Sequence, residues 1–251
     1  MKLIFKQMEG SKIRPIALVT GAALRIGKSL SIHLAQDGWD VALHYNSSYK
    51  QIRLLQNMLS KSHPQGRFKT FCCDLEIGNQ AEELIHQVLT SFGGLDLLVN
   101  NASVFTASLL RNTPLTLFQR QMDVNFRAPF ILIRDYACNC ESGIIVNMLD
   151  TRILFNQSHH AAYTLSKKNL AQLTQMAALE LGPAFRVNGI APGAILPPKG
   201  EGQEYLMSLI STTPMKETGG IRQVLKAFDY ILSSSYVTGE IFYCDGGQHL
   251  L

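Results

Sequence analysis

The sequence lacks the features that mark membrane, secreted and nucleic-acid-binding proteins. Its apolar stretches all fall short of the roughly 18 residues that a membrane span needs. Lys6 interrupts the apolar patch near the start, so no signal-peptide core is present. Lysine and arginine form no run, and a net charge of +4 is too mild to indicate a nucleic-acid partner. We therefore expect a cytoplasmic protein with no membrane association.

The cysteines do not have the spacing of a metal site. The five cysteines include the adjacent Cys72 and Cys73 and the C-x-C pair Cys138 and Cys140. Neither pair has the C-x-x-C spacing typical of zinc ligands, so no metal site is predicted. A chain of 251 residues can bury a large core without disulfides. We expect free thiols in a reducing compartment.

Short apolar runs alternate with helical patterns from one end of the chain to the other. Predicted strands are Ile16–Thr20, Val41–Tyr45, Phe68–Cys73, Leu95–Asn100, Ile144–Met148, Arg186–Ile190 and Glu240–Cys244. Predicted helices are Arg25–Gln36, Tyr49–Lys61, Ala81–Phe92, Thr116–Cys138, Ala161–Leu181 and Gly220–Ser233. This alternation is typical of a parallel sheet buried on both faces. It predicts one α/β domain over residues 1–251, a doubly wound Rossmann fold with a seven-stranded parallel sheet.

Ligands of such sheets bind beyond the carboxyl ends of the strands. The segment T-G-A-A-L-R-I-G, from Thr20 to Gly27, lies there between the first strand and the first helix. Its small residues allow a pyrophosphate to approach, and a helix N-terminus attracts anions. A tight turn without a ligand is the simpler alternative. The position after strand one favours a dinucleotide site.

The residues after the second strand bear on the choice of cofactor. An acidic residue at this place would bind the adenosine ribose and repel a 2′-phosphate. Instead the sequence has Asn46, Ser47 and Ser48. Their hydroxyl and amide groups favour NADPH over NADH.

Tyr163 and Lys167 are four residues apart at the start of a predicted helix, and therefore on one face. An ammonium beside a phenol favours the phenolate and lowers its pKa. The pair is thus a candidate for general acid–base catalysis, although a surface pair has the same spacing.

Together these motifs resemble the short-chain dehydrogenase/reductase family over essentially the whole chain. The turn resembles the family's T-G-x-x-x-G-x-G, with Arg25 at the middle glycine. The resemblance implies an NADPH-binding reductase and a homotetramer packed partly through the helices at Thr116–Cys138 and Ala161–Leu181. The resemblance is weakest at residues 194–211, where the irregular composition predicts a substrate loop. The cofactor contacts that it implies are Gly21, Arg25, Ile26, Asn46, Ser47, Ser48, Asp74, Leu75, Asn101, Ala102, Ser103, Tyr163, Lys167, Pro192, Gly193 and Ile195. Among these, Asp74 and Leu75 resemble the family's contact with the adenine edge.

Two further residues match catalytic positions of the family. Asn125 matches an asparagine that holds a water in the proton relay. Asp150 stands where most members have a serine that donates to a substrate carbonyl. A carboxylate cannot donate and repels an alkoxide, which disfavours ketone reduction. Ser158 is a poorly placed substitute donor, and a helix-capping carboxylate is the alternative for Asp150.

A carboxyl beside Tyr163 suits protonation of a ring nitrogen, and this variant resembles the pteridine reductases and dihydromonapterin reductases. Arg25 and Ser103 fit that subgroup, and Phe105 would stack on a flat pterin, although a core aromatic is the alternative. The implied substrate contacts are Arg25, Ser103, Phe105, Asp150 and Tyr163.

The sequence therefore predicts NADPH-dependent reduction of a dihydropterin such as dihydromonapterin, dihydrobiopterin or a dihydrofolate-like compound. Two alternatives stay open. One is a carbonyl reductase such as a 3-oxoacyl-carrier-protein reductase, and the other is a non-catalytic NADP-binding regulatory protein.

Overall fold

A parallel sheet with helices on both faces forms the protein. The computed structural model describes residues 14–156, 159–196, 202–211 and 213–251. The strands described there are β1 (Ile16–Val19), β2 (Asp40–Tyr45), β3 (Phe68–Cys72), β4 (Leu97–Asn100), β5 (Gly143–Met148), β6 (Phe185–Pro192) and β7 (Ile241–Cys244). All pairings are parallel, in the order β3-β2-β1-β4-β5-β6-β7. The predicted seven-stranded Rossmann sheet is confirmed.

The strand order reverses between β1 and β4. From β1 the chain moves outward to β2 and β3, and it later continues from β4 on the other side of β1. The helices that follow these two halves diverge, which leaves a crevice beyond the carboxyl ends of β1 and β4. This crevice positions the site.

Two apolar layers sandwich the sheet. The helices are α1 (Arg25–Gln36), α2 (Tyr49–Ser62), α3 (Gly78–Phe92), α4 (Leu115–Met122), α5 (Ala128–Asn139), α6 (Ala161–Leu181), α7 (Gln203–Ile210) and α8 (Gly220–Ser233). Strand side chains alternate between the layers, as Val19 packs with the core against α1, α2 and α8 while Leu18 packs with the core against α3, α5 and α6. Both faces of β1 are buried, which explains its uniformly apolar sequence.

The predicted continuous helix Thr116–Cys138 is wrong. The structure has α4, a π-helical turn at Asp123–Arg127 and then α5. Pro129 is the physical reason, because proline has no N–H to donate to the carbonyl of Asn125 four residues earlier. In the π turn the amide of Ala128 donates instead to the carbonyl of Asp123.

Part of the predicted loop at 194–211 and the fallback donor Ser158 lie outside the described residues. The described residues near its end form α7. Among the described residues no helix has the length and apolarity to cross a membrane.

Candidate active site

A cavity of about 970 Å³ lies beyond the carboxyl ends of the strands, at the reversal of strand order. The predicted cofactor and substrate contacts line this cavity. They are Gly21, Arg25, Ile26, Asn46, Ser47, Ser48, Asp74, Leu75, Asn101, Ala102, Ser103, Phe105, Asp150, Tyr163, Lys167, Pro192, Gly193 and Ile195. Segments that are far apart in sequence therefore converge on one site.

The turn after β1 is held against the end of β4 by Thr20 and Asn101. The Thr20 hydroxyl accepts the backbone amides of Asn101 and Ala102 at 2.8 and 2.9 Å. The side-chain amide of Asn101 donates back to the Thr20 carbonyl at 2.8 Å. Gly21 has φ +63°, and a Cβ at Gly27 would collide with the Gly21 carbonyl oxygen. The turn is therefore fixed, and its close packing requires glycine at both positions.

Arg25 adopts the left-handed conformation, with φ 53°. This backbone angle explains why the related motif has glycine at this position. The Arg25 guanidinium donates to the carbonyl of Leu196 at 3.4 Å, in the segment that follows β6. The arginine thus connects the turn to the opposite wall of the cavity.

Polar groups line the far end of the cavity, beyond β2 and β3. Asn46 and Ser47 are exposed, and Ser48 precedes α2 with no side-chain capping bond. The Asp74 carboxylate accepts the amide of Glu76 at 3.0 Å. No acidic side chain is present among residues 46–48, so nothing there repels a phosphate.

Asp150 and Tyr163 form a hydrogen-bonded pair inside the cavity. The Tyr163 hydroxyl donates to Asp150 Oδ2 at 2.9 Å. Asp150 Oδ1 accepts the amide of Arg152 at 2.8 Å and so caps a short 3₁₀ turn. The two interpretations of Asp150, a partner of Tyr163 and a capping carboxylate, both hold, one at each oxygen.

The expected lowering of the Tyr163 pKa by Lys167 is wrong. Burial raises the pKa of Tyr163 well above its usual value, and the charge and hydrogen bond of Asp150 raise it further. Arg152 and the Ser103 hydroxyl oppose this rise without reversing it. The phenol therefore keeps its proton and directs it at a carboxylate.

Lys167 lies next to this pair and is buried. Its ammonium donates to the carbonyl of Met148 at 2.7 Å. Burial lowers the pKa of Lys167 to about 8, against the opposing effect of the Asp150 charge. Two N–H groups of the ammonium remain for other acceptors.

Asn125 is fully buried and does not line the cavity. Its side-chain oxygen accepts the Ser103 hydroxyl and the Val104 amide, and its NH₂ donates to the Val104 carbonyl and the Ser166 hydroxyl. The side chain thus joins the π turn to α6 and to the segment after β4. Its role in a proton relay stays a prediction.

Phe105 is 46% exposed in the cavity and contacts two other rings. It stacks on the His160 imidazole, with centroids 4.6 Å apart and planes 12° apart, and it meets Tyr163 edge to face at 4.7 Å. The Arg152 guanidinium lies 5.7 Å from the Phe105 centroid. Phe105 is therefore an aromatic wall of the site and not a core residue.

Arg152 and His160 also line this cavity, and neither was among the residues that the sequence predicted for the site. His160 is three residues before Tyr163, so helical spacing alone could have placed it beside the tyrosine. Arg152 follows Asp150 by two residues. His44 lies at the end of the predicted strand Val41–Tyr45, but its ring partners Gly21 and Cys73 come from other segments and could not be predicted.

Comparison with known proteins gives matches over nearly the whole chain. A family model described as enoyl-(acyl carrier protein) reductase matches residues 21–249. A dihydromonapterin reductase from Shigella boydii is 28% identical, over 95% of this chain and 99% of the relative. A 3-oxoacyl-[acyl-carrier-protein] reductase from Staphylococcus epidermidis is 26% identical, over 93% and 98%. The solved structure of the FolM alternative dihydrofolate reductase 1 from Brucella canis, complexed with NADP, is 32% identical with a TM-score of 0.89, over 94% of each chain.

Proposed function

Because this chain belongs to the short-chain dehydrogenase/reductase family, we propose that it reduces a dihydropterin to the tetrahydropterin. The chain is an NADPH-dependent oxidoreductase. The observation that carries the finer proposal is the 2.9 Å hydrogen bond between Tyr163 and Asp150, inside the cavity. A carboxylate at this place suits the protonation of a ring nitrogen and not the reduction of a ketone. Dihydromonapterin, dihydrobiopterin and dihydrofolate-like compounds belong to this class.

The residues of the cavity fit NADPH. The fixed turn after β1 and the N-terminus of α1 suit the pyrophosphate, since the free amides of a helix's first turn attract anions. Asn46, Ser47 and Ser48 would bind the 2′-phosphate, and the remaining N–H groups of Lys167 would donate to ribose hydroxyls. When it is bound, the dihydronicotinamide supplies the hydride for the ring carbon.

Asp150 and Tyr163 handle the proton that a C=N bond takes up as its carbon is reduced. Asp150 takes up the proton of the Tyr163 hydroxyl as it passes a proton to the ring nitrogen, directly or through water, and solvent then returns a proton to Tyr163. Burial and Asp150 raise the pKa of Tyr163, so its hydroxyl is protonated and donates to Asp150 Oδ2. Lys167 limits the build-up of negative charge around the pair.

The substrate ring would lie against Phe105, which is 46% exposed and lines the cavity, where its ring suits contact with a flat heterocycle. Ser103 is exposed at the same wall and supplies a hydroxyl, and Arg25 adds a permanent cation. We propose that residues 194–211 form the substrate loop of a single domain. Its described end contributes Leu209 to the lining.

A carbonyl reductase is the second candidate, because the 3-oxoacyl-[acyl-carrier-protein] reductase relative is nearly as similar as the dihydromonapterin reductase. The carboxylate of Asp150 argues against it, since the developing alkoxide of a ketone needs a hydrogen-bond donor.

The test is a substrate panel with purified protein. The protein is incubated with NADPH and either a 7,8-dihydropterin or a 3-oxoacyl thioester, and the loss of the NADPH absorbance band is followed. We expect turnover with the dihydropterin. Turnover confined to the thioester would contradict the proposal. The same panel with NADH tests the choice of cofactor.

We further propose a homotetramer in the cytoplasm. Exposed apolar residues on α4 and α6, such as Leu115 (83%) and Leu179 (88%), would be covered by neighbouring copies. The five cysteines are free, which suits a reducing compartment. Light scattering after size-exclusion chromatography measures the mass, and a monomer in solution would contradict the assembly.

A further inference from the structure

His44 is a buried titratable residue that the mechanism above does not use. It lies in β2, is 2% exposed and borders the cavity at the turn after β1. Both of its ring nitrogens have partners. The backbone amide of Gly21 lies 3.0 Å from Nδ1, and the carbonyl oxygen of Cys73 lies 3.0 Å from Nε2.

These two partners determine the state of the imidazole. An amide N–H can only donate, so Nδ1 must be the unprotonated acceptor. A carbonyl can only accept, so Nε2 must carry the proton. The ring is therefore neutral, in the Nε2–H form. Burial agrees with this assignment, because it lowers the pKa of His44 to about 4 despite the opposing effects of the Cys73 carbonyl and the Asp74 charge.

The contact between His44 and Gly21 lies at a point of the turn where the backbone is in the left-handed conformation. Gly21 has φ +63°, and its amide points at His44. The next amide, of Ala22, donates to the backbone carbonyl of the same His44 at 2.8 Å. His44 thus accepts hydrogen bonds from two successive amides of the turn, which are therefore not available to a pyrophosphate.

The contact with Cys73 acts on the opposite end of the cofactor site. Cys73 directly precedes Asp74 and Leu75, which line the cavity where the adenine is expected. Through one ring, the turn after β1 and the end of β3 are linked across β2.

We propose that His44 is a cofactor-positioning residue, which holds the pyrophosphate turn and the adenine-side strand end at a fixed separation. This inference rests on the proposed binding of NADPH in this cavity. His44 does not touch the reacting atoms. It acts through Gly21 and Cys73, so its loss raises the Kd and the KM for NADPH and leaves kcat with bound cofactor nearly unchanged.

Three substitutions separate the two hydrogen bonds. In His44→Asn the side-chain oxygen stands at the place of Nδ1 and can still accept the Gly21 amide. In His44→Gln the terminal amide stands at the place of Nε2 and can still donate to Cys73. His44→Leu fills the space and makes neither bond. His86→Leu, on the exposed face of α3 and outside the cavity lining, is the matched control.

The readout is a fluorescence titration of NADPH binding, which needs no pterin turnover, together with circular dichroism and thermal unfolding. We expect His44→Leu to raise the Kd about tenfold, which corresponds to one or two net hydrogen bonds. We expect His44→Asn to recover most of this loss and His44→Gln to recover less. The control keeps the wild-type Kd.

The results that overturn the proposal are distinct. An unchanged Kd in His44→Leu, or an equal loss in the Asn and Leu variants, would show that the Gly21 contact does not position the cofactor. Failure of the Asn variant to fold would make His44 a residue of stability only. If the Kd series behaves as expected and no dihydropterin is reduced, the proposed substrate is wrong and the role of His44 stands. If the wild type does not bind NADPH, both fail.

Discussion

Replacement of Asp150 by asparagine removes its charge and proton capacity and preserves its shape. The carboxylate uses Oδ1 for the Arg152 amide and Oδ2 for the Tyr163 hydroxyl. Asparagine can keep the first bond with its oxygen and present its NH₂ to Tyr163. Because a partner remains on each side, we expect the free energy of unfolding to change by only about 1 kcal/mol.

The effect on catalysis is expected to be much larger. Loss of a positioned acid–base group typically lowers the rate about 10²- to 10⁴-fold, or about 3 to 5 kcal/mol in the activation free energy. In the variant the Tyr163 hydroxyl must accept from the amide, so its proton no longer points to residue 150, the group that passes the proton to the substrate. We therefore expect a fall of at least about a hundredfold in kcat for dihydropterin reduction. The Kd for NADPH changes little.

Steady-state kinetics with NADPH and a dihydropterin measures kcat and KM, and urea unfolding measures stability. Asp37→Asn, at the exposed end of α1 and outside the cavity lining, is the matched control and keeps wild-type kinetics. Asp150→Ser adds a second arm, since its hydroxyl would restore a donor for ketones. A pterin kcat within about threefold of wild type in both variants would refute the proton assignment.

Tyr163→Phe removes the donor to Asp150, so we expect pterin turnover to be lost while NADPH still binds, as measured by fluorescence titration; turnover that persists would contradict this. Arg25→Gly removes the strain of an arginine in the left-handed conformation, so we expect the free energy of unfolding, measured in urea, to rise by about 1 kcal/mol. We also expect the variant to bind NADPH more weakly, because the cation is lost. A variant less stable than the wild type would contradict the backbone argument. The pKa of His44 is about 4 in the folded protein and 6.5 in the unfolded chain. Between these pH values the unfolded chain binds more protons than the folded protein does. The free energy of unfolding therefore falls as the pH falls from 6.5 towards 4. The fall attributable to His44 is at most about 3 kcal/mol, and urea unfolding of His44→Asn measured across this range must show a smaller decrease than the wild type does.

The sheet could be predicted from the sequence because strands that are buried on both faces are apolar at nearly every position. A strand such as β1 is apolar at every position, and the turn residues that follow each strand are polar or small. The strand ends are brought together by the doubly wound topology, so residues as distant as Gly21 and Tyr163 could be assigned to one cavity. Element ends differed by a few residues, as in β4, which begins at Leu97.

The sequence was insufficient where an effect depends on burial or on partners from other segments. Helical spacing placed Lys167 beside Tyr163, but it did not reveal that burial and Asp150 would dominate the pKa of the phenol. Thr20 and His44 hold the turn through contacts with Asn101 and Cys73, just beyond β4 and β3, and no motif or spacing in the sequence indicates these partners.

Because of the π turn at Asp123–Arg127, no residue can be deleted between α4 and α5 without changing how the two helices are oriented. A π turn contains one residue more than the α-helical turn that it replaces, and each residue of an α-helix adds about 100° of rotation. Deletion of one residue here would therefore turn α4 and α5 by about 100° relative to each other. Asn125 would lose its contacts with Val104 and Ser166, or else α5 would turn its apolar side out of the core. Shortened designs of this chain must therefore leave that residue in place.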